Sequence, residues 1–472
     1  MACKKKLYSC LPNTDWHLDT HSGRAHTRPE PADPRSLERG VRQLLADKFS
    51  GAHLGLWLLL PEHLRLGTWD LLCGWSGQAA ACVEPRLALQ LVHEAALCTA
   101  GLRGKRALPQ QGFALANGLP FLATDVAIHQ LLATHTVAQA QALQRALGQL
   151  RRASGHYAGQ VLVIDPHRLR SHSKRKMRRR RKEPNAPATK MAQTFFALDG
   201  DTGQPLCFTT GTAARTVTAA TAELLDLAAA ILGPRPTPTL VLADAEHFTT
   251  ELIERVYHQA GFDLLVPLSI RQPLLQRLRQ LPAESFTRHW AGYATTQIAY
   301  QLTHGHVGPL PLFVQRFGEA PASWRFNAYL CTAPRAEVEA LTRDYPKRWH
   351  VEEFFNKDQA LGWDRAGTQN VHIRYGQMTM ALLAQAVLHQ LRSRLGEPFA
   401  AWDAKHLAKE VLHGLEGDVR VTTDTIVVTY YNAPNTECLR RQYEGLPNKL
   451  RAENINPCVP WLYNYKLDFR FR

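Results

Sequence analysis

Two short apolar runs constrain the fold of this chain most strongly, because each run ends at an aspartate. Val161 to Ile164 precede Asp165, and Thr239 to Ala243 precede Asp244. Short β-branched runs of this kind are typical of buried strands. The first run begins a predicted order of three strands followed by helix, strand, helix and strand. Such an order indicates a mixed α/β sheet that carries helices.

The predicted elements between the two aspartates have clear boundaries. The turn Asp199 to Gly203 predicts a hairpin between the second and third strands. The remaining predicted elements are strands at 193–198, 206–209 and 262–268 and helices at 216–232 and 248–260. This order is that of the ribonuclease H-like fold, a mixed five-stranded sheet with helices. In such a sheet the first and fourth strands are neighbours, so Asp165 and Asp244 are expected at one edge of the central pair.

A third carboxylate follows on a predicted helix. Tyr345, Arg348 and Glu352 are spaced i, i+3 and i+7, which places all three on one face of an α-helix. Glu353 is turned about 100° from Glu352, so the two are not interchangeable. Three aromatic residues elsewhere on the helix are predicted to pack it against the sheet: Trp349, Phe354 and Phe355.

Three carboxylates that converge on one point repel each other unless cations lie between them. Hard divalent ions take oxygen ligands of this kind. Two such ions about 3.5–4 Å apart stabilise both the attacking and the leaving oxygen of a phosphodiester displacement. The pattern therefore favours a site for two Mg2+ ions, with Mn2+ as an alternative.

The set of motifs resembles DDE transposases of the IS4-like insertion-sequence group. That family has an aspartate after its first strand, another after its fourth, a β-rich insertion and a Tyr-x2-Arg-x3-Glu-x6-Lys motif. The resemblance implies that Asp165, Asp244 and Glu352 are the catalytic metal ligands and that Tyr345 and Arg348 bind DNA. It implies metal-dependent strand cleavage and strand transfer at the ends of an insertion sequence, by a homodimer that holds the terminal repeats and target DNA. This chain departs from the motif at Gln359, where the family has lysine.

Composition shifts divide the chain into six predicted regions. The helical region is either a DNA-binding domain or a packing domain, and the C-terminal region serves DNA or dimer contacts. The regions are a basic, His-rich tail (1–34), a helical N-terminal domain (35–152), the first part of the core (155–269), a β-rich insertion (270–333), the second part of the core with the Glu helix (334–396) and the C-terminal region (397–472).

The charge and cysteine content agree with a protein that acts on DNA in the cytoplasm. The net charge is +15, and ten Lys or Arg residues fall between Arg168 and Lys182. A basic surface of this kind binds polyanions. No apolar run approaches the ~20 residues of a membrane span. The nine cysteines form no CxxC pair, which favours a reducing compartment without disulfides.

Three other interpretations stay open at this stage. The chain could be a transposase-derived DNA-binding protein without catalysis. It could be a nuclease that cuts DNA without joining it. In the third, Asp165 and Asp244 only cap their strands, and asparagine at both positions would leave any cleavage intact.

Overall fold

The computed structural model describes residues 27–28, 33–51, 53–99, 111–171, 176, 178–181, 185, 187–212, 214–259, 261–363 and 370–472. The chain divides into two compact units. One unit combines residues 1–150 with residues 356–472, and the other contains residues 151–355. No helix in the described ranges is long and apolar enough to cross a membrane.

The unit at 151–355 is built on one large sheet. A two-residue strand, Arg179–Arg180, pairs with the start of the second long strand. The long strands are β1 (Val161–Arg170), β2 (Thr189–Asp199), β3 (Pro205–Thr212), β4 (Thr239–Leu242), β5 (Phe262–Leu268), β6 (Thr287–Trp290), β7 (Tyr293–Tyr300), β8 (Leu310–Phe317) and β9 (Arg325–Cys331).

The first five strands lie in the spatial order β3, β2, β1, β4, β5. The pairs β3–β2 and β2–β1 are antiparallel, and β1–β4 and β4–β5 are parallel. The prediction that the first and fourth strands are neighbours is therefore confirmed.

The β-rich insertion predicted at 270–333 continues the sheet of the core. Strand β9 pairs antiparallel with β5, and β8, β7 and β6 follow outward in the same sheet. The physical reason is the open edge of β5, whose backbone groups are satisfied when the chain returns beside it.

Three helices accompany this sheet: α1 (Val217–Leu232), α2 (Thr250–His258) and α3 (Gln272–Arg279). The Thr216 hydroxyl accepts a hydrogen bond from the Ala219 amide at 3.2 Å and begins α1, while Gly233, at φ 65°, ends it. Helices α1 and α2 pack on the central strands in the core of the unit. The core residues include Leu162, Ile164, Leu224, Leu225, Ala228, Val241, Leu252, Ile253 and Val256.

The chain then passes through three kinds of helix. A short α-turn at Glu337–Glu339 is followed by a π-helical turn at Ala340–Asp344, a 3-10 helix at Tyr345–Trp349 and the α-helix α4 at His350–Asp358. Pro346 lies in the first turn of the 3-10 helix, where its missing N–H is tolerated. The prediction of one α-helix from Tyr345 to Phe355 is therefore wrong, because the segment is a 3-10 helix as far as Trp349.

The other unit is mainly helical. Its α-helices are Pro34–Ala46, Leu60–Leu66, Thr68–Ser76, Glu84–Ala96, Gln111–Ala116, Asp125–Thr134, Val137–Ala153 (which ends just inside the second unit), Val371–Leu395, Ala404–Leu407, Thr436–Tyr443 and Leu446–Ala452. Shorter helical segments are Leu54–Leu59, Gln359–Leu361, Phe399–Ala401, Ala408–His413 and Pro460–Leu462. Its strands are Thr27–Arg28, Phe49–Gly51, Leu122–Ala123, Gly417–Thr422, Thr425–Tyr430, Cys458–Val459 and Tyr465–Phe471.

Two predicted domain boundaries are corrected by this unit. Strand Phe49–Gly51 pairs with Gly417–Thr422, so the N-terminal and C-terminal regions share one five-stranded sheet instead of forming two domains. Helix Val371–Leu395, expected to complete the core and cover its sheet, instead packs within this unit against Glu84–Ala96. The helix is buried along most of its length, so it needs apolar neighbours on several sides.

Candidate active site

Strand register brings Asp165 and Asp244 together. The last paired residues of β1 and β4 are Val163 and Leu242. Each aspartate lies two residues further along an extended backbone, so both side chains leave the same face of the sheet. Neighbouring strands are about 4.8 Å apart, which makes the two carboxylates close neighbours.

Asp165 does not end its strand, in contrast to the sequence prediction. Strand β1 continues to Arg170 because its antiparallel partner β2 continues alongside, with Asp165 opposite Phe196. Only the parallel partner β4 stops. Burial and the negative charge of Asp244 raise the pKa of Asp165 to about 7, and the positive charges of His247 and Arg348 oppose this rise.

Asp244 is held by the 3-10 turn Ala245–His247 that it begins. Its Oδ1 accepts a hydrogen bond from the Glu246 amide at 3.1 Å and lies 2.5 Å from Nδ1 of the buried His247. Burial raises the pKa of Asp244, but the hydrogen bond and charge of His247 outweigh this effect and the pKa is lowered. The Asp244 carboxylate is therefore fixed in orientation.

Tyr345 and Arg348 both reach this edge of the sheet. The Tyr345 hydroxyl donates to the carbonyl of Ala243, the residue before Asp244, at 3.3 Å. Burial raises the pKa of Tyr345 to about 12, so its phenol stays protonated and can donate. The positive charge of Arg348 acts on Asp165. In a 3-10 helix, residues three apart eclipse each other, which explains why the two side chains point the same way.

Glu352 lies on the first turn of α4, and its side chain is 49% exposed. Nη2 of Arg348 lies 3.6 Å from Glu352 Oε1. Among the described residues, which include all three carboxylates, no group of three His, Cys, Asp or Glu side chains is arranged to hold a metal ion. The structure thus brings Asp165 and Asp244 together and places Glu352 beside Arg348.

Two aromatic side chains anchor α4 to the sheet. Phe354 and Phe355 are buried, with ring centroids 5.7 and 5.3 Å from that of Phe196, the residue opposite Asp165. Trp349 was expected to join them, but it is 57% exposed and lies under the Arg348 guanidinium at 5.1 Å. The change of helix type before His350 turns Trp349 away from the sheet.

The donor set fits a hard divalent cation. Asp165 and Asp244 present carboxylate oxygens side by side, and the repulsion between them is relieved by a cation between them. Both are mostly buried, which limits screening by water. Glu352 would complete a set of three oxygen ligands if its carboxylate left Arg348.

Five further residues lie beside the predicted site residues. His247 holds Asp244, and Arg168 pairs with Glu246. Lys347 and His350 contact the β2–β3 turn. Glu246 and His247 had a weak signal in their closeness to Asp244, whereas the other contacts join residues that are distant in sequence.

The basic tract predicted to contact DNA is partly described. Within the basic tract at 168–182, Arg178 and Arg179 are exposed, and 172–175, 177 and 182 lie outside the described residues. Trp290 of β6 is 57% exposed and stacks on Tyr293 at 4.1 Å, whereas Trp324 is partly buried under the Arg316 guanidinium at 4.2 Å.

One comparison with known proteins matches the part of the chain that contains these carboxylates. A family model described as the transposase DDE domain matches residues 156–386. No curated protein matches significantly. Among solved structures, the chain is similar to a piggyBac transposase in a synaptic complex with hairpin DNA, at 12% identity over 83% of this chain and 82% of that chain, with a TM-score of 0.38. The family match, which contains Asp165, Asp244 and Glu352, supports a DDE transposase.

Proposed function

We propose that this chain is a transposase that cleaves DNA strands at the ends of an insertion sequence and joins them to target DNA, in the manner of the IS4-like group. The main support is the strand register that sets Asp165 beside Asp244 within the segment that matches the DDE domain. The order β3, β2, β1, β4, β5 is that of a ribonuclease H-like core.

Asp165, Asp244 and Glu352 would hold two Mg2+ ions, with Mn2+ as a substitute. When bound, the ions would supply activation of the attacking water or 3′-hydroxyl and charge stabilisation of the leaving 3′ oxygen. Glu352 is the ligand that must leave its partner Arg348, from which 3.6 Å already separates it. The half-exposed position of Glu352 permits this exchange of partners without disturbing the core.

Arg348 and Tyr345 would bind the DNA phosphate next to the scissile bond. An arginine released from Glu352 can donate two parallel hydrogen bonds to a phosphate. The Tyr345 phenol, protonated at neutral pH, can donate a third once its single O–H leaves the Ala243 carbonyl. The exposed arginines of the basic tract would bind the backbone further along, and a homodimer would hold the two ends. In this proposal the chain works in the cytoplasm, bound to the nucleoid.

Strand cleavage and joining can be measured on DNA that carries the sequences flanking the gene for this chain, with Mg2+ present. Glu352→Gln is compared with the parent, and Glu353→Gln is the matched control because both glutamates are exposed on the same turn of α4. We expect cleavage and joining by the parent and the control, and neither reaction by Glu352→Gln, with DNA binding intact in all three proteins.

The other outcomes separate the rival functions. Cleavage without joined product would indicate a nuclease. DNA binding without any chemistry by a folded parent would indicate a transposase-derived binding protein. Equal activity of the Glu352→Gln variant and the parent would mean that Glu352 is not the third ligand.

A further inference from the structure

The turn between β2 and β3 is a rigid element close to the proposed active site. Asp199 is fully buried, and its carboxylate accepts hydrogen bonds from the amides of Asp201 at 3.0 Å and Thr202 at 2.8 Å. The turn also lies directly on β1, since a Cβ at Gly200 would come within 2.8 Å of the Val161 side chain. Its position is therefore set by the same strand that carries Asp165.

Two groups of this turn contact residues on either side of Arg348. Lys347 Nζ lies 2.6 Å from Asp201 Oδ1, and both side chains are only about a quarter exposed. His350 Nδ1 donates to the Gly200 carbonyl at 2.7 Å. One contact is made from the 3-10 helix and the other from the first residue of α4.

The segment held by these contacts is weak in itself. It changes from π to 3-10 to α geometry within thirteen residues, from Ala340 to Glu352. Irregular helices of this kind have poorer hydrogen-bond geometry than a continuous α-helix. Phe354 and Phe355 fix the middle of α4 and the buried Val351 packs its first turn, while the two polar contacts tie its beginning to the β2–β3 turn.

We propose that the Asp201–Lys347 ion pair and the His350–Gly200 hydrogen bond form a positioning clamp, which fixes Arg348 and Glu352 relative to Asp165 and Asp244. This inference rests on the proposed function, in which Glu352 completes the metal site. Lys347 and His350 are positioning residues: they contact the turn, and their effect on metal binding passes through the backbone that carries Glu352.

The pair can be broken without loss of bulk by Lys347→Met and restored in the opposite sense by Asp201→Lys combined with Lys347→Asp. Mn2+ binding to the purified full chain is followed by electron paramagnetic resonance, without DNA or turnover. We expect Lys347→Met to weaken Mn2+ binding about tenfold and the double exchange to return it to within about threefold of the parent, the size expected for one well-placed outer contact of a metal ligand.

Arg255→Met is the matched control, because Arg255 pairs with Asp226 at 2.9 Å on the surface of the same unit. It should leave Mn2+ binding unchanged. Unchanged Mn2+ binding in Lys347→Met would overturn the clamp. Weaker DNA binding with unchanged Mn2+ binding would make Lys347 a DNA contact instead, and would overturn it equally.

A second measurement keeps the clamp separate from the proposed function. Hydrogen exchange of the amides at 345–358 should become faster in Lys347→Met and stay at the parent rate in Arg255→Met, whether or not metal is present. Equal exchange in the parent and Lys347→Met would refute the clamp. The proposed function fails if the parent binds no Mn2+, or if Asp165→Asn does not abolish the binding. In either case the exchange experiment still decides whether the clamp holds α4.

Discussion

Glu62 and Asp165 are both buried carboxylates, one in each unit, and their surroundings are opposite. Glu62 is fully buried, but Arg65 Nη1 and the Tyr443 hydroxyl both lie 2.7 Å from its Oε1, and Arg394 Nε lies 3.5 Å from Oε2. Burial raises the pKa of Asp165, and the next largest cause is the negative charge of Asp244. Burial raises the pKa of both carboxyl groups, but the groups beside Glu62 oppose that rise, whereas Asp244 adds to it at Asp165.

The difference separates a structural charge from a functional one. A buried charge costs several kcal/mol unless it is paired, and Arg65, Arg394 and Tyr443 offset part of that cost for Glu62. At the β1–β4 edge the second carboxylate adds to that cost, and in the proposed function a bound cation offsets it. Polar groups whose arrangement lowers the stability of the fold are typical of functional sites.

Substitution of Asp165 is expected to have the largest effect, and that effect is on the rate of strand cleavage. Asp165→Asn should lower the rate of strand cleavage by about 10³-fold or more, because charge stabilisation by metal ions contributes several kcal/mol. Its free energy of unfolding without metal should not fall, since a charge beside Asp244 is removed. Gel assays of cleavage and urea unfolding measure the two quantities, with Asp226→Asn as an exposed control. Full cleavage by the variant would show that Asp165 is not a metal ligand.

The converse substitution is Glu62→Gln. It leaves the charges of Arg65 and Arg394 less well paired in the interior, and should lower the free energy of unfolding by about 3 kcal/mol. The cleavage rate of the folded protein should not change. Glu437→Gln is the control, since Glu437 pairs with Arg440 but is 87% exposed, and should change stability by less than about 1 kcal/mol. A stability loss no greater than that of the control would show that Glu62 is not a structural charge.

Acid should destabilise the structural unit through a second buried polar group. His93 Nδ1 lies 2.8 Å from Asn117 Oδ1, and its Nε2 lies 3.1 Å from Nε2 of His63. Burial lowers the pKa of His93 from 6.5 to about 4. Above pH 6.5 the contribution of His93 to the free energy of unfolding is complete. It is lost as the pH falls toward 4, and the loss reaches about 2 kcal/mol at pH 5.

Urea unfolding between pH 7 and pH 4.5 measures this loss, with His93→Gln as the comparison because glutamine keeps a polar amide and does not titrate. The variant should lose less stability than the parent over this range. Parallel curves for the two proteins would contradict the assignment to His93.

The sequence predicted the positions of Asp165 and Asp244 better than the structure around them. The apolar runs before Asp165 and Asp244 are local signals, and they placed both aspartates on neighbouring strands, as observed. The extension of β1 to Arg170 has no local signal, because it follows from pairing with β2 across a polar stretch. The break in the helix before His350 was also missed, since the i, i+3, i+7 pattern assumes a uniform α-helix and Pro346 allowed two geometries.

The partners of Glu62 were beyond the reach of sequence reasoning for a different reason. Arg394 and Tyr443 are more than 300 positions away along the chain, and the pairing of Phe49–Gly51 with Gly417–Thr422 is equally distant. Spacing rules apply within one helix or hairpin. Contacts between distant segments depend on the tertiary fold, which is why the predicted boundary at 396 differs from the unit boundary at 355–356, whereas the one at 152 lies within two residues of the unit boundary at 150–151.

Stabilisation by Mn2+ is expected to be the smallest effect, and it distinguishes Asp165 from Glu62 most directly. Mn2+ at ten times its dissociation constant should stabilise the unit at 151–355 by about 1.4 kcal/mol, the value for a ligand that binds only the folded state. Hydrogen exchange should slow in β1 and β4, beside Asp165 and Asp244, and stay constant in Glu84–Ala96 of the other unit. Asp165→Asn should remove the protection, and Glu62→Gln should retain it. Equal protection in the parent and Asp165→Asn would mean that the ion binds elsewhere, and the two carboxylates would then differ in their neighbours but not in their roles.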